Sequence, residues 1–286
     1  MLYPILFIPI IKKMVWGSES WDISCRFNDN EMGVVENGFL AGTPFNELIA
    51  KNPEAFLGSR AYNIYKKRGF PLLIKIIDAN DDLSVQVHPD DAYAAARGLE
   101  SGKSEMWYVM KAPEGGSLIA GTTDDATPEK LRANPMACLK KLPVKQGDII
   151  DIPAGLVHAI TKGIMVAEVQ QNSDITFRLY DYNRLGLDGS PRELHIDDGI
   201  AVTNFELKWQ SGQSSVKNDH FTVLKYEVKG ELKEKSDPEA FAVFTCVEGS
   251  CTINDVEVIC GRSVFVPAAL GQYAIIGKAV LLKSTV

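Results

Sequence analysis

Cysteine is scarce in this sequence, and the cysteines present do not form a recognisable motif. The chain of 286 residues contains 5 cysteines, an odd number, and no two of them have C-x-x-C spacing. This argues against a disulfide framework of the kind that stabilises small secreted proteins. We therefore expect reduced cysteines and a cytoplasmic protein.

Long apolar runs and an excess of positive charge are also missing. The apolar segment 1–11 has no basic residue before it, is interrupted by Pro4 and Pro9, and is followed by Lys12 and Lys13. It is too short to span a membrane and does not follow the signal-peptide pattern, so we predict a strand. The formal net charge of −7 argues against a general nucleic-acid binder, which needs a basic face. We expect no nucleic-acid or membrane partner.

What the sequence does contain is a succession of short apolar runs separated by turn residues. Residues 71–78, PLLIKIID, are typical of a buried strand, and from about residue 205 onwards the pattern is almost entirely strands. Many short strands with regular turns favour an all-β sandwich or barrel. Thr43 and Pro44 predict one of the few helices, which we expect to run to about Phe56.

One predicted strand carries a row of polar side chains. Apolar and polar residues alternate in the segment 83–89, LSVQVHP, so that Ser84, Gln86 and His88 share one face. Pro89 ends the strand because it has no N–H for the ladder. A hydroxyl, an amide and an imidazole side by side offer a row of ligands, although an ordinary strand with a solvent-facing polar side has the same pattern.

A second motif presents a histidine after a tight turn. Residues 147–158 follow the spacing G-x5-P-x-G-x2-H, which predicts a strand, a turn and a strand that carries His158. The G-x5-P spacing recurs at residues 261–267, where Ala269 replaces the second glycine and Gln272 stands at the position of the histidine. We interpret this as an internal duplication whose second copy has lost its ligand.

The G-x5-P-x-G-x2-H spacing resembles the second motif of the cupin superfamily, the small jelly-roll β-barrels. In cupins the first motif supplies two metal ligands at positions i and i+2 and then a glutamate. Gln86 and His88 fit the first two positions, Glu105 fits the glutamate, and His158 fits the last histidine. The resemblance implies a ligand set of two imidazole nitrogens and two oxygens.

More closely, the chain resembles the type I mannose-6-phosphate isomerases in their short bacterial form. The resemblance covers most of the chain, in the segments 16–17 (WG), 21–24 (WDIS), 71–91 (PLLIKIIDANDDLSVQVHPDD), 102–108 (GKSEMWY), 153–158 (PAGLVH), 168–174 (EVQQNSD) and 178–181 (RLYD). It departs from the usual family pattern at Ser18 and Asp22, neither of which is a ligand position.

This resemblance implies a mainly β fold with two cupin-like jelly-roll β-barrel domains and a few short helices. It places a catalytic metal-binding domain at residues 1–204 and a degenerate cupin-like β domain at residues 205–286. It also implies one Zn²⁺ per chain, held by the four ligands named above, although a mixed nitrogen and oxygen set accepts Fe²⁺, Mn²⁺ or Co²⁺ as well.

The implied reaction interconverts mannose 6-phosphate and fructose 6-phosphate through a cis-enediol. The resemblance assigns catalysis to Lys103 and Arg178, and these two cations, with the Ser84 hydroxyl, are our candidates for binding the substrate. The base that moves the proton stays open among Glu168, Asp174 and a metal-bound water. The expected partner is a small sugar phosphate, and we expect a monomer or a weak homodimer.

Two other functions fit parts of the pattern. A non-haem iron oxygenase of cupin fold would need a redox metal with open positions, and the glutamine ligand and the paired cations argue against it. A sugar-phosphate-binding module without catalysis would follow from ligand loss, for which the second copy of the repeat is a precedent. No motif includes His195 and His220, for which we expect surface or supporting roles, and Lys75 is assigned a structural role.

Overall fold

The computed structural model describes residues 2–26, 29–209 and 212–286, and its secondary structure is mainly β. The strands are β1 (Ile5–Ile8), β2 (Ile10–Met14), β3 (Gly17–Ile23), β4 (Val34–Val35), β5 (Leu72–Ala79), β6 (Val85–Val87), β7 (Glu105–Lys111), β8 (Ser117–Thr122), β9 (Leu139–Pro143), β10 (Ile149–Ile152), β11 (His158–Ala159), β12 (Met165–Gln171), β13 (Phe177–Tyr180), β14 (Ser215–Lys217), β15 (Thr222–Lys235), β16 (Ala242–Ile253), β17 (Val256–Ile259), β18 (Ser263–Val266) and β19 (Gln272–Thr285). The helices are α1 (Phe45–Lys51), α2 (Pro53–Leu57), α3 (Ser59–Arg68), α4 (Asp91–Ala96), α5 (Pro128–Ala133) and α6 (Ile196–Val202). Within the described ranges, no helix is long and apolar enough to cross a membrane.

Contacts divide the chain into two compact units. The terminal unit comprises the chain up to Ile11, Ser20–Ile76 and Ser214–Val286, and the middle unit comprises Lys12–Glu19 and Ile77–Gln213. This division differs from the boundary expected at residues 204 and 205, because strands from both ends of the chain pair within one sheet. The assignment of residues 1–204 as the catalytic domain therefore stays a prediction about function.

The terminal unit is built on an eight-stranded antiparallel sheet. Its strand order is β14-β15-β19-β16-β18-β1-β4, and β17 pairs with β16. N-terminal β1 joins the C-terminal strands through β18, with Ile5 opposite Phe265. The two longest strands pair along their whole length, from Thr222 opposite Thr285 to Lys235 opposite Gln272. The C-terminal strand β19 is thus a single strand of 14 residues.

A buried carboxyl group lies within this unit. Asp22 is 2% exposed, and its Oδ2 accepts a hydrogen bond of 2.7 Å from the Ser263 backbone N–H. The Arg262 Nε lies 3.7 Å from the same oxygen, and the Ser20 hydroxyl donates to Oδ1 at 3.1 Å. Burial raises the pKa of Asp22 to about 6, because these contacts offset only part of the lost hydration.

We expect the wild-type protein to lose stability as the pH rises through about 6 and the Asp22→Asn protein not to. A carboxyl whose pKa is higher in the folded state adds stability that is present below its unfolded pKa, near 3.8, and is lost as the pH rises through about 6. Two pKa units correspond to about 3 kcal/mol. Urea unfolding of both proteins at a series of pH values tests this, since asparagine still accepts the Ser263 hydrogen bond but does not ionise. If the free energy of unfolding changed with pH in the same way for both proteins, the raised pKa of Asp22 would be contradicted.

The middle unit places the polar strand at the centre of a sheet. Its five-stranded sheet has the order β13-β6-β11-β8-β9, so that β6 lies between β13 and β11. In its second group of paired strands, β7 lies between β10 and β12. The face of β6 opposite the polar row packs into an apolar cluster of the residues Val85, Val87, Ile119, Leu131, Cys138, Val157, Ala159, Phe177 and Leu179.

The two copies of the G-x5-P repeat have matching local structure. Gly147 and Gly261 both have positive φ, 92° and 85°, which a glycine adopts without steric cost. Each is followed by a short strand, β10 or β18, and then by a turn. The next strand begins at His158 in the first copy and at Gln272 in the second. The backbone therefore repeats even where the side chain has changed.

Candidate metal centre

Strand pairing brings the two sequence motifs together. In β6, Gln86 stands directly opposite His158 of β11 in an antiparallel pair. The turn before β11 is joined to the end of this strand, because the Gly155 backbone N–H donates to the His88 carbonyl at 2.9 Å. The polar face is largely covered, since Ser84 is 3% exposed, His88 is 1% exposed and Gln86 between them is partly buried. The solvent-facing interpretation of this strand is therefore wrong.

Strand β7 supplies the carboxylate. Glu105 is its first residue and pairs with Ile152 of β10 on one side and Gln170 of β12 on the other. Just before it, the Lys103 backbone N–H donates to the Pro89 carbonyl at 2.9 Å, which fixes this segment at the end of the polar strand. Glu105 is 1% exposed.

Ser104 links the same segment to two neighbours. Its hydroxyl accepts a hydrogen bond of 3.2 Å from the Ala154 backbone N–H, in the turn that precedes His158. Its own backbone N–H donates to the Gln171 side-chain oxygen at 2.8 Å. The K-x-E segment is thereby held against both the histidine turn and β12.

Three of the predicted ligands converge in the interior. One ligand atom from each of His88, Glu105 and His158 lies within 4.8 Å of the others. The His88 Nε2 is 3.2 Å from Glu105 Oε1, and the His158 Nε2 is 3.8 Å from Glu105 Oε2. The fourth predicted ligand, Gln86, has its amide nitrogen 3.4 Å from His158 Nε2. A half-turn of that amide brings its oxygen to the same place, and oxygen is the amide atom that binds metals.

The ligand atoms of His88, Glu105 and His158 are available to bind a metal ion. Among the described residues, the buried Nδ1 of His88 has no hydrogen-bond partner. The His88 Nε2 and the Glu105 carboxylate have only ion-pair contacts, with each other at 3.2 Å, with Lys103 at 2.9 Å and with His158 at 3.8 Å. A buried polar atom without a partner costs stability unless something binds it. The His158 Nδ1 lies 2.8 Å from the Leu156 carbonyl, which accepts its proton and leaves Nε2 with a free lone pair. These residues fit a divalent metal.

Protonation states favour the same conclusion. Burial, with the nearby Lys103 ammonium, lowers the pKa of His88 to about 3, and burial also lowers the pKa of His158. Burial would raise the pKa of Glu105, but the Lys103 charge holds it well below its usual range. At neutral pH the site therefore offers two neutral imidazoles and one carboxylate, the forms that bind metals.

Trp107 and Glu168 support one of the histidines. The Trp107 ring meets the His158 ring edge to face, with centroids 5.4 Å apart. Its indole N–H donates to Glu168 Oε2 at 2.8 Å, and both residues are almost completely buried. Glu168, one of the candidate bases, is therefore engaged in orienting Trp107. The second side-chain candidate, Asp174, is exposed.

Comparison with known proteins identifies the family. The description "Phosphomannose isomerase type I, catalytic domain" belongs to a family model that matches residues 8–118, and "Mannose-6-phosphate isomerase, cupin domain" to one that matches residues 212–286. The mannose-6-phosphate isomerase of Streptococcus mutans is 40% identical over 252 residues, which cover 82% of this chain and 77% of that protein. The chain belongs to the type I mannose-6-phosphate isomerase family.

Other members of the family agree over the whole length. A mannose-6-phosphate isomerase of Bacillus subtilis is 31% identical over an alignment of 316 positions that covers 96% of each chain. The crystal structure of the mannose 6-phosphate isomerase from Bacillus subtilis superposes with a TM-score of 0.86 at 29% identity and covers 100% of both chains. A phosphomannose isomerase from Salmonella typhimurium shares the fold, with a TM-score of 0.77, 16% identity and 99% coverage of both chains. The predicted cupin fold is confirmed.

Lys103 and Arg178, the two cations predicted to be catalytic, lie on segments next to the ligand residues of this type I isomerase. The Lys103 ammonium is 2.9 Å from Glu105 Oε1, and its side chain is 7% exposed. Arg178 lies in β13 directly opposite Gln86 of β6. Its Nε is buried and has no hydrogen-bond partner among the described residues. Lys103 is thus held in the interior beside Glu105, whereas Arg178 is partly buried and lies on the strand next to Gln86.

Sequence reasoning missed a group of arginines that follow Arg178. Asp181 is 4% exposed and pairs with Arg184 at 2.8 Å and with Arg192 at 3.0 Å. Burial, and then the positive charges of Arg178 and Arg184, lower the pKa of Arg192 against the opposing effect of Asp181. We call these residues, Arg178, Asp181, Arg184 and Arg192, the arginine cluster. Its only signal in the sequence is the recurrence of arginine between β13 and α6.

The remaining candidates lie outside the ligand set. The His195 backbone N–H donates to the Arg178 carbonyl at 2.8 Å, and its Nδ1 accepts from the Arg178 N–H at 3.3 Å. His195 therefore supports the arginine strand. His220 and Lys75 both lie in the terminal unit, where the Lys75 ammonium is 4.8 Å from the centroid of the Trp21 ring.

Proposed function

We propose that this chain is a metal-dependent aldose–ketose isomerase that interconverts mannose 6-phosphate and fructose 6-phosphate through a cis-enediol. The observation that carries the proposal is the buried convergence of His88, Glu105 and His158, whose ligand atoms lie within 4.8 Å of one another. Membership of the mannose-6-phosphate isomerase family supports the substrate pair.

His88, Glu105, His158 and Gln86 would hold one divalent ion, for which Zn²⁺ is our first choice. Nitrogen and carboxylate ligands suit zinc, and they also admit Fe²⁺, Mn²⁺ or Co²⁺. When bound, the metal supplies a Lewis acid that stabilises negative charge on a substrate oxygen. The three converging side chains carry a net charge of −1, which favours binding of a cation.

Lys103 and Arg178 supply the positive charge that the reaction itself needs. Moving a proton between C1 and C2 places negative charge on an oxygen, and fixed cations in a water-poor site stabilise that charge. The Arg178 guanidinium is a cation with a buried N–H that has no partner among the described residues. The Lys103 ammonium donates toward the same interior while it keeps Glu105 ionised. We propose that both contact the reacting end of the substrate, with Ser84 adding a hydroxyl beside them.

The substrate phosphate is assigned to Arg184 and Arg192 of the arginine cluster. Arginine recognises phosphate through paired, charge-assisted hydrogen bonds. Arg184 and Arg192 are 13% and 16% exposed, so their charged ends are partly accessible while Asp181 holds both in place. A chain of net charge −7 needs such a local concentration of cations to bind a dianion.

We expect Arg184→Gln and Arg192→Gln each to raise KM for mannose 6-phosphate by about 10-fold or more, with a smaller effect on kcat. A charge-assisted hydrogen bond contributes about 1.5–3 kcal/mol, and 1.4 kcal/mol is a factor of ten. Steady-state kinetics measure both constants. Arg97→Gln is a matched control, since its partner is the exposed Asp198. Equal KM values for the three variants and wild type would contradict this placement.

The cellular setting is proposed from the composition of the chain. All five cysteines are free thiols in the structure, which supports a reducing, cytoplasmic location. The acidic chain supports a small-molecule partner rather than a nucleic acid, and we propose no membrane partner. We propose a monomer or a weak homodimer, which sedimentation at several concentrations measures directly.

The proposed activity is tested by incubating purified, metal-loaded protein with mannose 6-phosphate and following fructose 6-phosphate. We expect conversion in both directions. We also expect uptake of solvent deuterium at C1 or C2, because the base that carries the proton between these carbons exchanges it with solvent before returning it to the cis-enediol. No conversion by protein that holds one metal per chain would contradict the substrate assignment. Oxygen uptake with Fe²⁺ would instead identify an oxygenase, and saturable binding without turnover would identify a binding module.

A further inference from the structure

Gln170 is a buried glutamine on the strand next to the carboxylate ligand. It lies in β12 directly opposite Glu105 of β7, while Glu168, two residues earlier, stands opposite Trp107. Side chains that stand opposite each other in an antiparallel pair share a face, with Cβ atoms about 4.5–5.5 Å apart. The Trp107–Glu168 hydrogen bond and the contact of the Trp107 ring with His158 show that the metal ligands lie on this face. Gln170 is 0% exposed.

The main chain fixes the orientation of the Gln170 amide. Its Nε2 donates to the Gln171 carbonyl and to the Ser173 carbonyl, each at 2.8 Å. Both amide N–H groups are therefore used, and exchanging the nitrogen with the oxygen would break two hydrogen bonds and set oxygen against oxygen. The nitrogen of the amide thus has a structural role at the end of β12.

The oxygen of the same amide has no such role. Within the described part of the chain, Gln170 Oε1 is buried and has no hydrogen-bond partner. A buried acceptor in that state costs stability. A ligand that enters the site and brings a proton donor to this oxygen would explain why the acceptor is present opposite Glu105.

The other groups assigned to the substrate leave a need for such an acceptor. Lys103, whose ammonium lies 2.9 Å from Glu105 Oε1, and Arg178 carry N–H donors only. They donate to carbonyl, enediolate and phosphate oxygens, but they cannot accept the proton of a sugar hydroxyl. Glu105 itself is assigned to the metal. The amide oxygen of Gln170 therefore supplies the acceptor that the two cations lack.

We propose that Gln170 is a specificity-determining residue that accepts a hydrogen bond from the C3 hydroxyl of the sugar phosphate. This inference rests on the proposed function, in which the metal and the two cations bind the oxygens on C1 and C2. The hydroxyl on C3 is the first along the sugar chain that those groups leave without an acceptor. A neutral amide recognises it without adding a second negative charge beside Glu105.

Calorimetric titration of the metal-loaded full chain tests the proposal without turnover. The probes are mannitol 6-phosphate, which has no carbonyl group and cannot isomerise, and its 3-deoxy counterpart. Wild type is compared with Gln170→Met, which keeps the length of the side chain but removes the amide. Gln272→Met, at an exposed glutamine of the terminal unit, is the matched control. Metal content and unfolding temperature are measured for each protein.

We expect wild type and Gln272→Met to bind mannitol 6-phosphate about tenfold more tightly than the 3-deoxy compound, because one buried hydrogen bond distinguishes the two. Gln170→Met should bind mannitol 6-phosphate about tenfold more weakly than wild type does, and should lose the preference while it keeps its metal. A role in packing alone would weaken binding of both compounds equally. A tenfold preference that persists in Gln170→Met would therefore overturn the proposal.

The comparison of the two compounds on wild type needs no variant, so it remains decisive if Gln170→Met does not fold. Equal affinities of wild type for both compounds, or no saturable binding of either, would overturn the proposal. Turnover of mannose 6-phosphate is measured separately on wild type. Failure of the binding test therefore leaves the isomerase proposal intact, and an absence of turnover leaves the binding test interpretable.

Discussion

Replacing His158 with alanine is expected to remove the metal ion and to lower kcat/KM for mannose 6-phosphate by about 10³-fold or more. The imidazole is fully buried, and its Nδ1 proton is held by the Leu156 carbonyl, so that only Nε2 is available to a metal. A metal ion supplies several kcal/mol of charge stabilisation in a transition state, and about 4 kcal/mol is a factor of about 10³ in rate. Metal content by mass spectrometry and steady-state kinetics on the same sample measure both effects.

Two further variants separate loss of the ligand from loss of the fold. Glu105→Gln keeps the volume and shape of the side chain but removes the negative charge, so it should also lose metal while the protein stays folded. His220→Ala removes a histidine of the terminal unit and should keep both metal and turnover. If the His158→Ala protein retained one metal per chain and wild-type kinetics, the proposed ligand set would be wrong.

Replacing Arg178 with alanine is expected to lower kcat by about 10²–10³-fold while the protein keeps its metal. Arg178 stands opposite Gln86 in the β13–β6 pair, and its buried Nε has no hydrogen-bond partner among the described residues, so we expect its charge to be available to the reacting end of the substrate. Removing one group that stabilises a developing oxyanion typically costs 10²–10³ in kcat. Arg178→Lys should recover only part of the loss, because an ammonium lacks the planar fork of donors.

The combination of low kcat and full metal content is what distinguishes Arg178 from a ligand. Arg132→Ala is a suitable control, since Arg132 is exposed and pairs with the exposed Asp197. Retention of wild-type kcat by Arg178→Ala would show that the guanidinium is not used in the reaction. Loss of metal together with activity would instead mean that Arg178 acts by supporting the β6 strand.

The motifs in the sequence were sufficient to predict the family and the main elements of the fold, because their spacing follows strand geometry. The alternation in residues 83–89 correctly identified the polar side chains that share a face with His88. It could not show that the face is buried, since period-two alternation describes one strand and not what covers it. That information came only from the pairing of β6 with β11 and β13.

The helical region shows a different limit. The sequence predicted one helix from Thr43 to Phe56, but the structure has α1 and α2, separated at Asn52, and then α3. Pro53 disfavours the helical conformation at Asn52, whose side chain instead accepts from the Ala55 backbone N–H at 3.3 Å. Helix α3 was not predicted, because its weakly patterned residues give little periodic signal.

The arginine cluster and the contact-based units could not be derived because both depend on long-range packing. Arg184 and Arg192 are brought to one carboxylate by a loop whose course the local sequence does not determine. Likewise, β1 gives no local sign that it pairs with β18, more than 250 residues away. Short motifs reveal ligands at fixed spacing, whereas supporting charges are found only once the chain is folded.

The most direct test of the central claim is to measure isomerase activity and metal content together while metal is removed and restored. The account predicts that chelation abolishes the conversion of mannose 6-phosphate, and that added Zn²⁺ restores it in proportion to occupancy, with a plateau at one ion per chain. Protein freed of metal that still turned over at the wild-type rate would contradict the account. It would show that the buried site of His88, Glu105 and His158 is not the centre of the reaction.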